Sequence, residues 1–265
     1  MLRTIHLAAI ATLLALPLSS TARAATIGAE VGISSIAPCP SFCGGSGATS
    51  EFTFDGGEGV GFANATQSNA QGTGQARAEF VGPDLLPRLR SLSDSQPNAQ
   101  VSASATGYRA YDYAGPTTTI TLDVALIGNA EVPVGNSVLD ASIRAIVAMA
   151  VRADLPHSTH APTLLSEIIP FTPGIDQCGV TFDESIPVNA GIQVVNGSVS
   201  CEVENGDRLF VWSNLTTRGT RGALASSFDS LEATFVDSTG LTAVPEPRVA
   251  LLIVSAGLLA ALRRR

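Results

Sequence analysis

The sequence predicts an all-β chain folded as an antiparallel sandwich over residues 25–242, and three observations carry that expectation. Aromatic residues are sparse at 5% and charged ones low at 14%, while 25 Gly and 15 Pro punctuate runs of Ser, Thr, Ala and Val. That is the composition of strands joined by tight turns, not of amphipathic helices. Apolar residues recur with period two in several stretches, and turn-forming residues separate those stretches. At 265 residues the chain has room for one large β domain once its two ends are set aside.

The N-terminal end is set aside first. Met1-Leu2-Arg3 supplies a positive start, Leu7 to Leu16 an apolar core, Pro17 a break, and Ala22-Arg23-Ala24 the small residues that a signal peptidase accepts. Residues 1–24 therefore read as the helix of a cleaved signal peptide, with Ala25 as the mature start. A permanent N-terminal anchor is the weaker alternative, because about ten apolar residues are too few to span a bilayer.

Export through the Sec machinery would place Cys39, Cys43, Cys178 and Cys201 in an oxidising compartment. Three pairings are open, and the intervals favour Cys39–Cys43 and Cys178–Cys201. The second closes 24 residues, worth about 3 kcal/mol through the entropy of the unfolded chain. A metal site on Cys39 and Cys43 is the alternative, but no second Cys or His pair stands at zinc-site spacing from them.

Along the domain, Glu51-Phe52-Thr53-Phe54 and Gln75 to Val81 read as strands, with glycines between. Asp55 and Glu58 lack the regular ligand spacing of a calcium loop and read as a solvated turn; no cofactor is expected. Asp84 to Arg90, between Pro83 and just past Pro87, reads as a short helical or irregular excursion. Val101 to Thr106 alternates, and Tyr108, Tyr111 and Tyr113 precede a Gly115-Pro116 turn. Thr117 to Leu126 then sets Ile120, Leu122, Val124 and Leu126 on one face, ending at a Gly128-Asn129 turn. Ser142 to Arg152 places Ile143, Ala145, Val147, Met149 and Val151 opposite Arg144 and Arg152. His157 and His160 lie between Pro156 and Pro162 and read as an exposed loop rather than a metal site. From Gly179 a meander is expected, with hairpin turns at Asn196-Gly197 and Asn205-Gly206, a strand at Arg208 to Trp212 and a last one at Leu231 to Val236.

Charge and chemistry exclude more than they assign. All fifteen basic residues are Arg, and residues 25–246 hold nine of them against 23 acids, a formal charge of −14. A nucleic-acid partner is excluded on that balance, since phosphate binding depends on a basic surface. Cations or neutral sugars suit it better. No nucleophile elbow, phosphate-binding loop or His-Glu-x-x-His stands in the chain. The acidic pairs Asp183-Glu184 and Glu202/Glu204 would serve a glycosidase only across a cleft. Tyr108, Tyr111, Tyr113 and Trp212 are the candidates for stacking on a sugar ring, with packing inside the sandwich the competing reading.

The C-terminal end carries the most specific signal. Val244-Pro245-Glu246-Pro247 leads into an apolar run from Val249 to Leu262, which stops at Arg263-Arg264-Arg265. As a helix the run reaches about 21 Å, short of a hydrocarbon core of about 30 Å. The three arginines would keep its end cytoplasmic. These features, in this order, closely resemble the PEP-CTERM sorting signal of Gram-negative bacteria over residues 243–265. The resemblance implies transient anchoring in the inner membrane and processing near Pro-Glu-Pro by an exosortase. It further implies passage to the cell surface or matrix, with an association with exopolysaccharide. Members share no single activity, so no catalytic residue carries over. The expectation is an antiparallel sandwich of jelly-roll or immunoglobulin-like type between two short apolar helices. Its expected role is structural or adhesive and not enzymatic. A carbohydrate-binding module is the alternative, and a secreted hydrolase ranks third.

Overall fold

The computed structural model describes residues 25–36, 50–58, 62–82, 84–151, 178 and 181–244. These residues form two antiparallel sheets packed face to face, as the composition and the period-two runs predict. The first sheet holds β1 (Ala25–Ser35), β2 (Ser50–Glu58), β6 (Ala99–Tyr113), β8 (Ala141–Val151), β9 (Phe182–Ser185), β11 (Arg208–Thr220) and the short β13 (Leu241–Ala243). The second holds β3 (Phe62–Asn69), β4 (Gly72–Val81), β5 (Leu86–Ser95), β7 (Thr118–Glu131), β10 (Gln193–Val203) and β12 (Leu224–Phe235). The two flanking helices expected from the sequence fall on residues 1–24 and 245–265, outside the described residues.

Spatial order is β2-β1-β6-β11-β8-β9 in the first sheet, with β13 added beside β6, and β10-β7-β12-β5-β4-β3 in the second. From β5 to β8 and again from β9 to β13, each connection crosses from one sheet to the other. Two late strands are central. β11 joins β6 to β8, and β12 joins β7 to β5, so neither sheet is continuous without residues 208–235.

The interior is asymmetric, and the side chains explain it. Around β7, β8, β11 and β12 it is filled by Leu122, Leu126, Ile143, Met149, Leu215 and Leu231. Around β3, β4, β5 and β6 the inward residues are small: Ala63, Ala65, Ala76, Ala78, Ala103 and Ala105. There the sheets approach closely. A Cβ on Gly219 of β11 would lie 3.0 Å from Ser93 O of β5, and one on Gly74 would lie 2.3 Å from Val31 Cγ1. Ser91 and Ser93 of β5 share the Thr217 hydroxyl of β11 at 2.7 and 2.9 Å, and Ser95 donates to Ala223 O at 3.1 Å. These three buried serine hydroxyls thus have partners, as burial of a polar group requires.

Four sequence expectations are corrected. Asp84 to Arg90 is not helical: β5 starts at Leu86, and Pro87 is tolerated because the β12 ladder along β5 ends at Leu89, opposite Leu231. Gly128-Asn129 is not a turn, since β7 runs on to Glu131. The small size of Gly128 admits Ile143 Cδ1, 3.0 Å from where its Cβ would be. Asn196-Gly197 lies inside β10, and Gly197 makes room for the Phe182 ring, whose Cδ2 would stand 2.7 Å from a Cβ. The meander is replaced by crossings: Asn205-Gly206 does form a turn, with Gly206 at φ +95°, but it carries the chain from β10 in one sheet to β11 in the other.

Cys178 and Cys201 are disulfide-bonded, as the intervals favour. Cys39, Cys43, His157 and His160 lie outside the described residues.

Candidate functional site

The first candidate lies where the two ends of the domain meet. β1 and β13 run in the same direction along one flank of β6. Ala25 stands opposite Arg109, and Ala243 opposite Tyr111. Between them Val244 N–H donates to Ala110 O at 3.0 Å, and Arg109 Nη2 donates to Val244 O at 3.3 Å. The residue predicted to begin the mature chain and the residue predicted to open a sorting motif are therefore at successive positions along β6. Arg109 was not marked by the sequence. It is 7% exposed, and its guanidinium lies 5.3 Å from the Phe80 ring centre. Ala22, Ala24, Pro245, Glu246, Pro247, Arg263, Arg264 and Arg265 lie outside the described residues.

The aromatic candidates separate by strand parity, because successive side chains of a strand point to opposite faces. Tyr111 and Tyr113 point into the interior, where Tyr111 meets Phe235 edge to face at 5.2 Å and donates to Asp84 O at 2.8 Å. Tyr113 donates to Pro116 O at 2.7 Å. Tyr108 and Trp212, paired across β6 and β11, point to the outer side and join Ala110, Ala148, Ala150 and Phe210 in a second apolar cluster. Tyr108 stacks on Phe210 at 5.8 Å. All four candidates are buried, Trp212 being 2% exposed, so of the two readings weighed for Tyr108, Tyr111, Tyr113 and Trp212 packing holds and the sugar platform does not. Burial pushes the Tyr108 and Tyr111 hydroxyls above their ordinary titration range, with Arg208 and Arg109 respectively opposing it, and both remain protonated.

The second candidate is a shallow depression of about 470 Å³ on the outer face of the second sheet, crossing β10, β7 and β12. Thr234, Asp123 and Ser198 form one cross-strand row, and Glu232, Ala125 and Asn196 the next. The small Ala125 leaves the hollow, and longer polar side chains rim it. Glu232 is held by Arg88 at 2.8 Å and by the Ser230 hydroxyl at 3.0 Å. The side chains of Asp123, Asn196, Ser198 and Thr234 have no hydrogen-bonding partner among the described residues. Carboxylate, amide and hydroxyl groups in two rows can each bond a polyol hydroxyl. Sequence reasoning passed over this face because Asn196 was assigned to a turn and Asp123 is a lone acid in an apolar alternation.

The acidic pairs weighed for hydrolysis do not face one another across a cleft. Asp183 and Glu184 are strand neighbours, and Asp183 is bound by Arg144 through bonds of 2.8 and 2.6 Å that hold its carboxyl below the ordinary range. Glu202 is exposed on β10, and Glu204 lies in the turn that follows. Among the described residues no group of three or more His, Cys, Asp or Glu could hold a metal ion. Among the same residues no helix is long and apolar enough to cross a membrane.

No protein-family model and no curated protein matches the chain. A solved structure that it resembles is the enzymatically active domain of tailspike protein 4 of bacteriophage CBA120, at 10% identity and a TM-score of 0.29. The match covers 66% of this chain and 19% of that one. A likeness that slight assigns neither a family nor an activity.

Proposed function

We propose that this chain is an exported cell-surface or matrix protein whose sandwich plays a structural or adhesive part without catalysis, sorted by its C-terminal tail. The observation that carries the proposal is the ordered tail of Val244-Pro245-Glu246-Pro247, apolar run and terminal arginines. That tail begins one residue after the last strand of the sandwich. Its partners would be signal peptidase and the Sec machinery, then an exosortase, with a transient stay in the inner membrane and exopolysaccharide as the surrounding material. Intact-mass measurement and cell fractionation test it, comparing the wild type with a chain in which Pro245, Glu246 and Pro247 are all alanine. The wild type should lose its tail and leave the inner membrane, and the variant should keep both. A wild-type protein still full length in the inner membrane would sink the proposal.

Carbohydrate binding is the second reading, moved from the buried tyrosines to the depression around Ala125. Four polar side chains there without hydrogen-bonding partners among the described residues favour it. Binding to a glycan array that vanishes in Asp123→Ala and Asn196→Ala supports this reading; binding unaffected by both rejects the site.

A further inference from the structure

The depression around Ala125 is one end of a longer feature. Strand register aligns Asn196, Ala125 and Glu232 across β10, β7 and β12, and it aligns Arg88, Glu79 and Phe62 across β5, β4 and β3. Leu231 stands opposite Leu89, so Glu232 and Arg88 are cross-strand neighbours, joined by a 2.8 Å ion pair. The two triplets are thus one row of side chains over all six strands of the second sheet, on its outer face. Five interstrand steps of about 4.8 Å make the row about 24 Å long.

Among the described residues two aromatic side chains are exposed, Phe62 at 44% and Phe228 at 38%, and both belong to this face. Phe62 closes the row at β3, where the Arg77 guanidinium lies 4.8 Å from its ring centre and steadies it. Phe228 stands in the β12 bulge between Ser227 and Leu231, beside the middle of the row. Ser227 and Ser230, on either side of it, are buried, which leaves Phe228 directed outward. An apolar ring next to hydroxyl-bonding groups matches the two sides of a sugar, C–H face on the ring and hydroxyls on the polar groups. The charges along the row are paired: Arg88 with Glu232 at 2.8 Å, Arg77 with Glu79 at 2.7 Å, and Arg90 3.7 Å from Glu79. Their remaining N–H groups and lone pairs can bond hydroxyls while presenting little net charge. The other described charges set by strand parity on this face, Asp94, Asp123, Glu131 and Glu202, are all acidic, so a polyanion is repelled.

We propose that the outer face of the second sheet binds a linear, uncharged polysaccharide laid across the strands. Phe62 is the stacking anchor at one end, and the depression holds hydroxyls at the other. The length of the row sets the class of ligand. A single sugar would occupy the depression alone, and only a chain of sugars reaches both ends. The proposal rests on the carbohydrate reading of the depression and extends it to β5, β4 and β3.

An array of linear neutral oligosaccharides of glucose, mannose, galactose and xylose, from dimer to hexamer, tests it on the full chain in a sugar-free zwitterionic detergent. For the glycan bound best, the hexamer should bind at least tenfold more tightly than the dimer. Phe62→Ala should lose that gain while its affinity for the dimer stays within twofold of the wild type. Asp123→Ala should weaken dimer and hexamer alike, at least tenfold. Equal affinity for dimer and hexamer, or hexamer binding unchanged in Phe62→Ala, overturns the proposal; the depression reading survives that result so long as Asp123→Ala removes binding. No binding of any neutral oligosaccharide overturns both. Alginate bound more tightly than every neutral chain, with an affinity that falls as salt rises, overturns the uncharged class. Should Phe62→Ala also lower the urea midpoint, Phe62→Leu decides, since it keeps an apolar side chain without a ring face. It should lose the hexamer gain, and a retained gain refutes the stacking role.

Discussion

Trp212 is the single tryptophan, and its position fixes what its replacement does. Packed among Tyr108, Phe210 and small alanines, it supplies buried area rather than a ligand contact. Trp212→Ala should lower stability by about 3–5 kcal/mol, read as a fall in the urea midpoint. A loss of glycan binding at unchanged stability would restore the platform that the burial removes. Asp183 makes a smaller and pH-dependent contribution. Its carboxyl titrates below its ordinary value, chiefly through the Arg144 hydrogen bonds. Its stabilisation is therefore present above the ordinary carboxylate range and disappears as pH falls through the lowered value. Both side chains are well exposed, 60% for Arg144 and 43% for Asp183, so the pair is worth under about 1 kcal/mol. Asp183→Asn should lower the midpoint slightly at neutral pH and not at all once the wild-type carboxyl is protonated. Equal loss at both pH values would contradict the ion-pair account.

At the scale of elements, the two Asn-Gly pairs differ in a way that stability measurements can separate. Gly206 at φ +95° occupies a conformation that costs other residues about 1 kcal/mol, so Gly206→Ala should destabilise by that order. Asn196 sits on the outer face of β10, and Asn196→Ala should change stability by less than about 0.5 kcal/mol. A large cost at Asn196 would mean that its turn role is real. The alternating runs at Thr117 to Leu126 and Ser142 to Arg152 were legible in the sequence because their inward residues are large and apolar. β5 was not, because its inward residues after Leu89 are serines, whose burial depends on partners that β6, β11 and the β11–β12 connection supply. Gly128 and Gly197 read as turns for a similar reason: a glycine needed for close approach looks the same in sequence as one needed for positive φ. Of the candidate sites, the proposed tail motif is a reading of the sequence alone, because its order is local. The depression and the Ala25–Val244 junction were not legible there, since both are made by pairing strands distant in sequence.

For the whole molecule, the Cys178–Cys201 bond ties the segment before β9 to β10 across the edge of the sandwich. Opening it by Cys178→Ala with Cys201→Ala should cost about 2–4 kcal/mol, measured as the shift in the denaturation midpoint under non-reducing conditions. Reduction of the wild type should lower the midpoint by at least as much, since it also opens any Cys39–Cys43 bond. No shift in either would show that the link does not restrain the unfolded chain.

The central placement of β11 and β12 also sets a timetable. Strands made early have their partners on either side of a gap that residues 208–235 fill late, and most connections span both sheets. Folds dominated by such distant pairings assemble in milliseconds to seconds, far more slowly than helical ones. A chain delivered from its N-terminus through a narrow channel would thus remain unassembled until almost all of it had crossed. The order of strands delays closure until the last of them arrives, without any separate device to hold the chain open.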